Sequence, residues 1–548
     1  MTETGGTDRA TGEPSAVEVT LAVGQNKYLS TAPTAAGPPG EQVMYAVLEV
    51  GVGTTGGAPV PPRPPDAGAA LAEVLIIDTS RSMLYPDSKL HAAKDATVAA
   101  VRRLPDGTAF AVLSGRFDAT VVHPGSGTEA MAVAGPDQRE AAEHAIRVLD
   151  ADGGTAIGTW LDLARRLLQE QRAPVKHVLL LTDGRNEHDA RAAIRLENAL
   201  TACAGGRISC DAWGIGDDWD AELLLRITRR LHGRAGAVRR ESELTAVYQE
   251  LIDDLLGTSV PELRIRLIPT PGTRIRQVKQ IVPGEQELPA TADESGTREA
   301  EYVTRGWGDE VRHYQVVLAA DPSDRDLGED LQLAAVELSV PDLGRPVRLP
   351  PPRPILVHWT DAPADASRPH PGIRRHQLYQ QANAAVLHAH QAWRRGEAGR
   401  PDADAALARA VALAGELGDA QLLGALRKVA DASGPGAARV RDGLKDVDWQ
   451  HLILSSAMTT PHRSPAAGPG TEEGMRDAPA AAEGTGGGTA EGTGGGTAER
   501  TGGGTGGRTA CGAGGGALVE CPTCHWLGPP GSRFCGGDCG RELGGPPV

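Results

Sequence analysis

The stretch LAEVLIID, residues 71–78, followed by TSRS at residues 79–82, decides how this chain is interpreted. An almost continuous apolar run of this length predicts a strand buried on both faces, as in a parallel sheet. The strand ends in Asp78, and Ser80 and Ser82 follow at alternate positions. One carboxylate and two hydroxyls are hard oxygen ligands, which suit Mg²⁺, Mn²⁺ or Ca²⁺. The stretch therefore predicts a cation site at the carboxyl end of a strand.

Two further loops carry oxygen ligands in the same setting. The stretch GGTAIG, residues 153–158, places Thr155 before a helical segment, and LLLTDG, residues 179–184, places Asp183 after an apolar strand. Ligands of open parallel sheets bind at the carboxyl ends of the strands. The three loops are therefore predicted to meet at one edge of the sheet.

Strands and helices alternate from Leu71 to about Leu256. The runs TAFAVLS, ATVVH, HVLLLT and ISCDAWGI have strand length, and the segments between them have helical period. This alternation predicts an α/β domain at residues 70–257, with a doubly wound, mainly parallel sheet between helical layers. The predicted helices are Lys89 to Leu104, Asp137 to Leu149, Ile157 to Gln169, Asp189 to Cys203, Asp220 to Leu231 and Ser242 to Leu256.

The five oxygen-bearing residues resemble, in order and spacing, the metal-ion-dependent adhesion site of a von Willebrand factor A (vWA) domain. They are Asp78, Ser80, Ser82, Thr155 and Asp183. The resemblance implies that the three hydroxyls bind a divalent ion, with the two carboxylates contributing directly or through water. It also implies that an open sixth coordination position accepts an acidic side chain of a partner protein. The alternative is a helix-capping turn in which Asp78 and Ser80 accept bonds from helix N–H groups.

The segments around this domain differ in composition. Residues 1–16 are predicted to be disordered, whereas residues 17–68 and 258–362 contain short strands separated by Pro, Gly and Asp. The simplest arrangement inserts the α/β domain into one β-sandwich, and two independent β modules are the alternative. Residues 371–457 have helical period, which predicts a small helical bundle or, as a second possibility, one tetratricopeptide-like pair.

The last part of the chain combines a low-complexity linker with a cysteine-rich tail. Residues 462–517 repeat EGTGGGTA-like units, and such Gly/Thr/Ala sequences behave as flexible tethers. Residues 518–548 resemble a small bacterial zinc ribbon with one Zn²⁺ ion, although the second cysteine pair has a gap of three residues instead of two. The alternative is an unstructured reduced tail. The four predicted zinc ligands are Cys521, Cys524, Cys535 and Cys539.

Charge and length restrict the function further. The chain has 548 residues, which argues for several domains. Its formal net charge of −16 argues against a general role in binding nucleic acid or anionic membranes. Its start has neither the basic nor the apolar region of a signal peptide, and no apolar run reaches membrane-helix length. We therefore expect a cytoplasmic protein. Only seven of the 55 basic residues are Lys, and Ala, Gly, Pro and Arg are abundant, a composition that favours a bacterial source.

No enzyme motif accompanies the predicted metal site. Walker A and G-x-S-x-G motifs are missing from the sequence, and GVGTTG at residues 51–56 precedes a Pro-rich stretch instead of a helix. We expect a non-catalytic protein-interaction scaffold. One alternative is an accessory subunit of a chelatase or AAA+ ATPase machine. Another is a metal-dependent hydrolase, which needs a general base near Thr155 that the sequence does not reveal.

Overall fold

The computed structural model divides into two compact units, Met1–Arg463 and Ser464–Val548. None of the helices it describes is both long and apolar enough to cross a membrane. The predictions for residues 1–15, for the linker and for the zinc-binding cysteines lie outside the described residues. The described residues are 16–31, 41–54, 71–125, 127, 129–291, 299–322, 328–341, 343–361, 370–432 and 438–458, with the backbone of 519–520 and 527–528.

The described chain opens with three strands, β1 (Val17–Gln25), β2 (Tyr28–Ser30) and β3 (Gln42–Thr54). The first six residues of β1 alternate between buried and exposed. Side chains on a strand point to opposite faces in turn, so this alternation gives β1 one face toward a core and one toward solvent.

The α/β domain follows, with a sheet in the order β10-β9-β8-β4-β5-β6. The central pairings are parallel, and β6 and β7 are antiparallel to β5. The strands are β4 (Leu71–Asp78), β5 (Ala109–Gly115), β6 (Ala119–His123), β7 (Ala132–Val133), β8 (Val175–Thr182), β9 (Ser209–Ile215) and β10 (Ala235–Val238). The helices are α1 (Ser88–Arg103), α2 (Pro136–Arg147), α3 (Ile157–Gln169), α4 (Leu196–Gly205), α5 (Ala221–Arg230) and α6 (Leu244–Leu256).

Both faces of this sheet are covered by helices. One hydrophobic cluster joins the sheet to α3, α4 and α5, and another joins it to α1, α2 and α6. The predicted doubly wound α/β domain is therefore confirmed.

The start of α4 differs from the prediction, which began this helix at Asp189. In the structure Asp189–Arg191 form a short 3₁₀ turn, and α4 begins at Leu196. The Asp189 carboxylate accepts hydrogen bonds from the backbone N–H of Leu196, at 2.7 Å, and from the Asn186 side chain, at 3.0 Å. A carboxylate that bonds to nearby N–H groups favours caps and turns over helix interiors, which explains the later start.

The strands after the α/β domain form two six-stranded sheets together with β1, β2 and β3. The sheet orders are β13-β12-β16-β3-β1-β18 and β14-β15-β11-β17-β19-β2. The strands are β11 (Val260–Pro269), β12 (Thr273–Val282), β13 (Gln286–Glu287), β14 (Ala290–Thr291), β15 (Ala300–Trp307), β16 (Glu310–Ala320), β17 (Asp330–Ser339), β18 (Val347–Arg348) and β19 (Arg353–Thr360).

The α/β domain is inserted between strands of this β-sandwich. The long strand β3 pairs antiparallel with β16, and β2 pairs parallel with β19, so both sheets contain strands from before and after the domain. One hydrophobic cluster, which includes the fully buried Trp307, Tyr314 and Trp359, joins the two sheets.

A helical region packs against the α/β domain on the α3, α4 and α5 face. It consists of α7 (Pro371–Trp393), α8 (Arg400–Leu417), α9 (Ala420–Val429) and α10 (Asp446–Ala457), with a hairpin of β20 (Ala430–Ala432) and β21 (Ala438–Val440) before α10. These helices share one hydrophobic cluster with the domain. The Gln450 side chain also accepts a hydrogen bond from the backbone N–H of Ala221 at 2.8 Å. This bond joins α10 to the first residue of α5.

The second unit has two short described strands, β22 (Val519–Glu520) and β23 (Leu527–Gly528). They pair antiparallel, with Val519 opposite Gly528. In the sequence this pair lies on either side of Cys521 and Cys524.

Candidate functional site

The carboxylate of Asp78, at the carboxyl end of β4, is fully buried. Its Oδ1 accepts a hydrogen bond from the backbone N–H of Ser80 at 2.8 Å, and its Oδ2 accepts one from the Thr182 hydroxyl at 2.6 Å. Because Thr182 ends β8, Asp78 joins the ends of two neighbouring strands. Asp78 therefore lies at the sheet edge that the sequence predicted, but below the surface.

Ser80 and Ser82 connect this carboxylate to Asp183. Ser80 precedes a short 3₁₀ helix, Arg81–Leu84, and its side chain makes no capping hydrogen bond. Instead, its Oγ lies 3.0 Å from the Oγ of Ser82, which donates to Oδ1 of Asp183 at 2.7 Å. The capping alternative therefore fails for Ser80, although Asp78 does accept one N–H bond.

Thr155 reaches the same place from the loop before α3. A Cβ atom added to Gly184 would lie 3.3 Å from the Thr155 Oγ1 and 3.9 Å from the Ser82 Oγ, so the three loops meet around this glycine. Thr155 is 6% exposed. Within the described part of the chain, its hydroxyl has no hydrogen-bond partner, which leaves its oxygen available to a ligand.

Lys89, in the first turn of α1, also belongs to this cluster, and the sequence reasoning missed it. Its Nζ lies 2.5 Å from Oδ2 of Asp183, and the exposed fractions of the two side chains are 2% and 0%. A signal was present, because Lys89 lies four residues before Ala93 on the buried face of α1. A lysine on the apolar face of a helix needs a buried partner.

The cluster contains two carboxylates and one ammonium group. Burial, and after it the negative charge of Asp183, raises the pKa of Asp78 to about 6. With both carboxylates ionised, the single ammonium of Lys89 leaves one negative charge uncompensated. Two carboxylates and three hydroxyls are an oxygen set that hard divalent cations prefer. Among the described residues no group of three or more His, Cys, Asp or Glu could hold a metal, so a cation here would depend on the hydroxyls.

The rim of this edge has exposed aromatic side chains. Tyr85, just after the 3₁₀ helix, is 73% exposed, and Phe117, in the turn between β5 and β6, is 43% exposed. The ring of Phe117 meets the ring of His188 edge-on, with centroids 5.8 Å apart. His188 therefore packs against Phe117 in the loop after β8.

A second buried charged cluster lies toward the amino ends of β4, β8 and β9, and nothing in the linear sequence marks it. The Nδ1 of His177 lies 2.9 Å from Glu73 Oε2, and its Nε2 lies 3.7 Å from Asp211 Oδ2. Arg234 adds a backbone N–H bond to Asp211 at 2.6 Å. Burial alone would lower the pKa of His177, but Glu73 and Asp211 outweigh it and raise that pKa to about 10. The imidazolium thus binds three neighbouring strands together.

Comparison with known proteins identifies the class of this domain. Residues 72–236 match the family model of the von Willebrand factor type A domain. The chain therefore contains a vWA domain, and the predicted family resemblance is confirmed for that part. Domains of this class commonly mediate protein–protein interactions.

Three relatives extend the comparison. A von Willebrand factor type A protein from Catenulispora acidiphila is 28% identical, with a TM-score of 0.69, over 82% of this chain and 99% of that one. The ArnB paralog VWA2 from Sulfolobus acidocaldarius covers the same shares at 13% identity and a TM-score of 0.45. The uncharacterized protein sll0103 from Synechocystis is 26% identical over 221 residues, 40% of this chain. The match spans about half, 49%, of that Synechocystis protein.

Proposed function

We propose that this chain is a non-catalytic scaffold whose vWA domain binds an acidic group of a partner protein through a divalent metal ion. The metal site is the cluster of Asp78, Ser80, Ser82, Thr155 and Asp183. The observation that carries the proposal is the meeting of three loops at one sheet edge, with the Thr155 hydroxyl left without a partner in the described residues.

The residues present fit Mg²⁺, Mn²⁺ or Ca²⁺. Such an ion supplies positive charge and a coordination position for a partner's carboxylate. The chain's own residues hold the ligands in place: Thr182 and the N–H of Ser80 orient the Asp78 carboxylate, and Ser82 orients that of Asp183. The exposed rings of Tyr85 and Phe117 offer apolar contact area next to the site.

Thr155→Val tests the metal site with little risk to the fold. Valine keeps the shape of threonine and removes only the oxygen that has no partner in the described residues. We expect Mg²⁺ or Mn²⁺ affinity, measured by isothermal titration calorimetry, to fall by about tenfold or more. The free energy of unfolding in EDTA should change by less than about 0.5 kcal/mol.

The matched control is Thr120→Val, because Thr120 is an exposed threonine on β6. It should leave the affinity for both ions unchanged. Wild-type metal affinity in Thr155→Val would remove Thr155 from the ligand set. If the unmodified protein binds no divalent ion at millimolar metal concentration, the whole proposal is contradicted.

Hydrogen bonds from the protein orient both carboxylates of the site. Each of the four carboxylate oxygens of Asp78 and Asp183 accepts one such bond. Each oxygen keeps a further lone pair that a metal ion can use. The alternative role, an accessory subunit of an AAA+ ATPase or chelatase-type machine, predicts copurification with an ATPase, which the scaffold role does not require.

We also propose that the tail binds one structural Zn²⁺ ion through Cys521, Cys524, Cys535 and Cys539. Two close cysteine pairs match a tetrahedral zinc site, and the pairing of β22 with β23 brackets the first pair in the sequence. Because thiolates persist in a reducing compartment, this proposal places the protein in the cytoplasm.

Elemental analysis of protein purified without chelators should find one zinc per chain. The Cys521→Ser, Cys535→Ser double variant should lose the zinc, and its tail should become sensitive to protease, because structural Zn²⁺ contributes about 10–16 kcal/mol to the folding of small domains. Cys511→Ser is the control and should keep the zinc. Zinc-free wild-type protein, or a double variant whose tail resists protease as wild type does, would contradict the proposal.

A further inference from the structure

The ammonium of Lys89 occupies a position inside the candidate metal site that no part of the proposed function uses. Its Nζ contacts one oxygen of Asp183, while Ser82 donates to the other. Both charged side chains are almost completely shielded from water. Lys89 and Asp183 therefore form a buried ion pair within the candidate metal site and not a surface contact.

The path of the Lys89 side chain is built into the fold. It passes Gly216, directly after β9, where an added Cβ atom would lie 2.8 Å from Lys89 Cδ and 3.5 Å from its Nζ. Gly216 also has a φ angle of +78°, which favours glycine. Two independent features, the missing Cβ and the ion pair, thus direct this lysine to Asp183.

Charge explains what the lysine does. A buried carboxylate without a partner is strongly unfavourable, and Asp78 adds a second carboxylate to the same cluster. Lys89 reduces the charge of the two ionised carboxylates from −2 to −1. The same positive charge repels any divalent ion that approaches Asp183.

We propose that Lys89 is a built-in counter-cation of this site. It neutralises Asp183 when no metal is bound, keeps the metal-free domain folded, and lowers the affinity for divalent ions. The last of these effects rests on the proposed function, whereas the first two do not.

The test is Lys89→Met, which keeps the length and apolar part of the side chain and removes the charge. In EDTA the melting temperature should fall by about 5 °C or more, because Asp183 loses its counter-charge. Saturating Mg²⁺ should restore most of this loss, since a ligand of the folded state stabilises it. Calorimetry should show Mg²⁺ binding about tenfold or more tighter than in wild type.

Two further variants make the outcome decisive. Lys94→Met, on the same helix, removes a lysine that donates to the backbone oxygen of Arg147 and makes no ion pair with Asp183. It should change neither the melting temperature in EDTA nor the Mg²⁺ affinity. If Lys89→Met does not fold in EDTA, the double variant Lys89→Met, Asp183→Asn should fold there without responding to Mg²⁺, because both charges are gone. Failure of that double variant to fold would overturn the counter-cation proposal.

The results separate this inference from the proposed function. If wild type binds Mg²⁺ and Lys89→Met is as stable and binds no tighter, only the counter-cation proposal is overturned. If Lys89→Met binds Mg²⁺ and wild type does not, the counter-cation proposal stands and the metal-dependent function is overturned. Absence of binding by both proteins overturns the metal-dependent function and the effect of Lys89 on metal affinity, and the melting temperature of Lys89→Met in EDTA then decides the other two effects.

Discussion

Asp183→Ala should abolish divalent-metal binding and metal-dependent capture of a partner. It should also lower the free energy of unfolding in EDTA by about 3–5 kcal/mol, because removal of one partner leaves the other charge buried. The Asp183 carboxylate is fully buried and bonded to Lys89 and Ser82, so truncation leaves an ammonium without a counter-charge. Isothermal titration calorimetry and chemical denaturation measure the two effects.

The burial of both carboxylates explains the expected loss of stability. A site exposed at the rim of a sheet would tolerate alanine, but the structure buries both Asp78 and Asp183 completely. The double variant Asp183→Ala, Lys89→Met should therefore recover much of the stability and none of the metal binding. Wild-type affinity for Mg²⁺ in Asp183→Ala would show that the ion binds elsewhere.

His177→Ala should lower the free energy of unfolding by about 3–5 kcal/mol at pH 7, because it removes a buried cation from between two carboxylates. Glu73 and Asp211 both contact the imidazole and are both buried. Burial also raises the pKa of Glu73, so its ionised form depends on His177. Denaturation with urea provides the measurement, and His144→Ala, on the exposed side of α2, is the control.

The pH dependence gives this prediction a second measurement. The pKa of His177 is raised from 6.5 to about 10 in the folded protein. Its contribution to stability is therefore fully present below pH 6.5 and is lost as the pH rises through 10. Wild type should lose more stability between pH 7 and pH 10 than His177→Gln does. Parallel stability curves for the two proteins would contradict a charged His177.

Local sequence patterns predicted much of the α/β domain. The predicted bounds of β4, β6 and α3 agree with the structure, because each is an apolar or amphipathic run closed by a turn or a charged residue. The three site loops were also predicted to lie at one edge, since the carboxyl ends of parallel strands meet there. Both inferences depend on short-range spacing alone.

Other strands escaped sequence reasoning because their stability comes from their neighbours. The short strand β2 and the half-buried strand β15 are defined by their pairing with β19 and β11, respectively. A short or half-buried strand of this kind has no strong local signal, because its burial depends on a distant partner strand. The helix α10 lies in a segment predicted as helical, but its packing against α5 depends on contacts between residues far apart in the chain, such as Gln450 with Ala221.

The sequence by itself determined the class of domain and the set of oxygen ligands, because these depend on residue types at fixed spacings along single strands and loops. The tertiary structure decided the electrostatics. Lys89 and Asp183 are 94 residues apart, and Glu73 and His177 are 104 residues apart, yet each pair is in contact and buried. Only the packed sheet brings such charges together and removes them from water, and both conditions are needed before their interaction becomes strong.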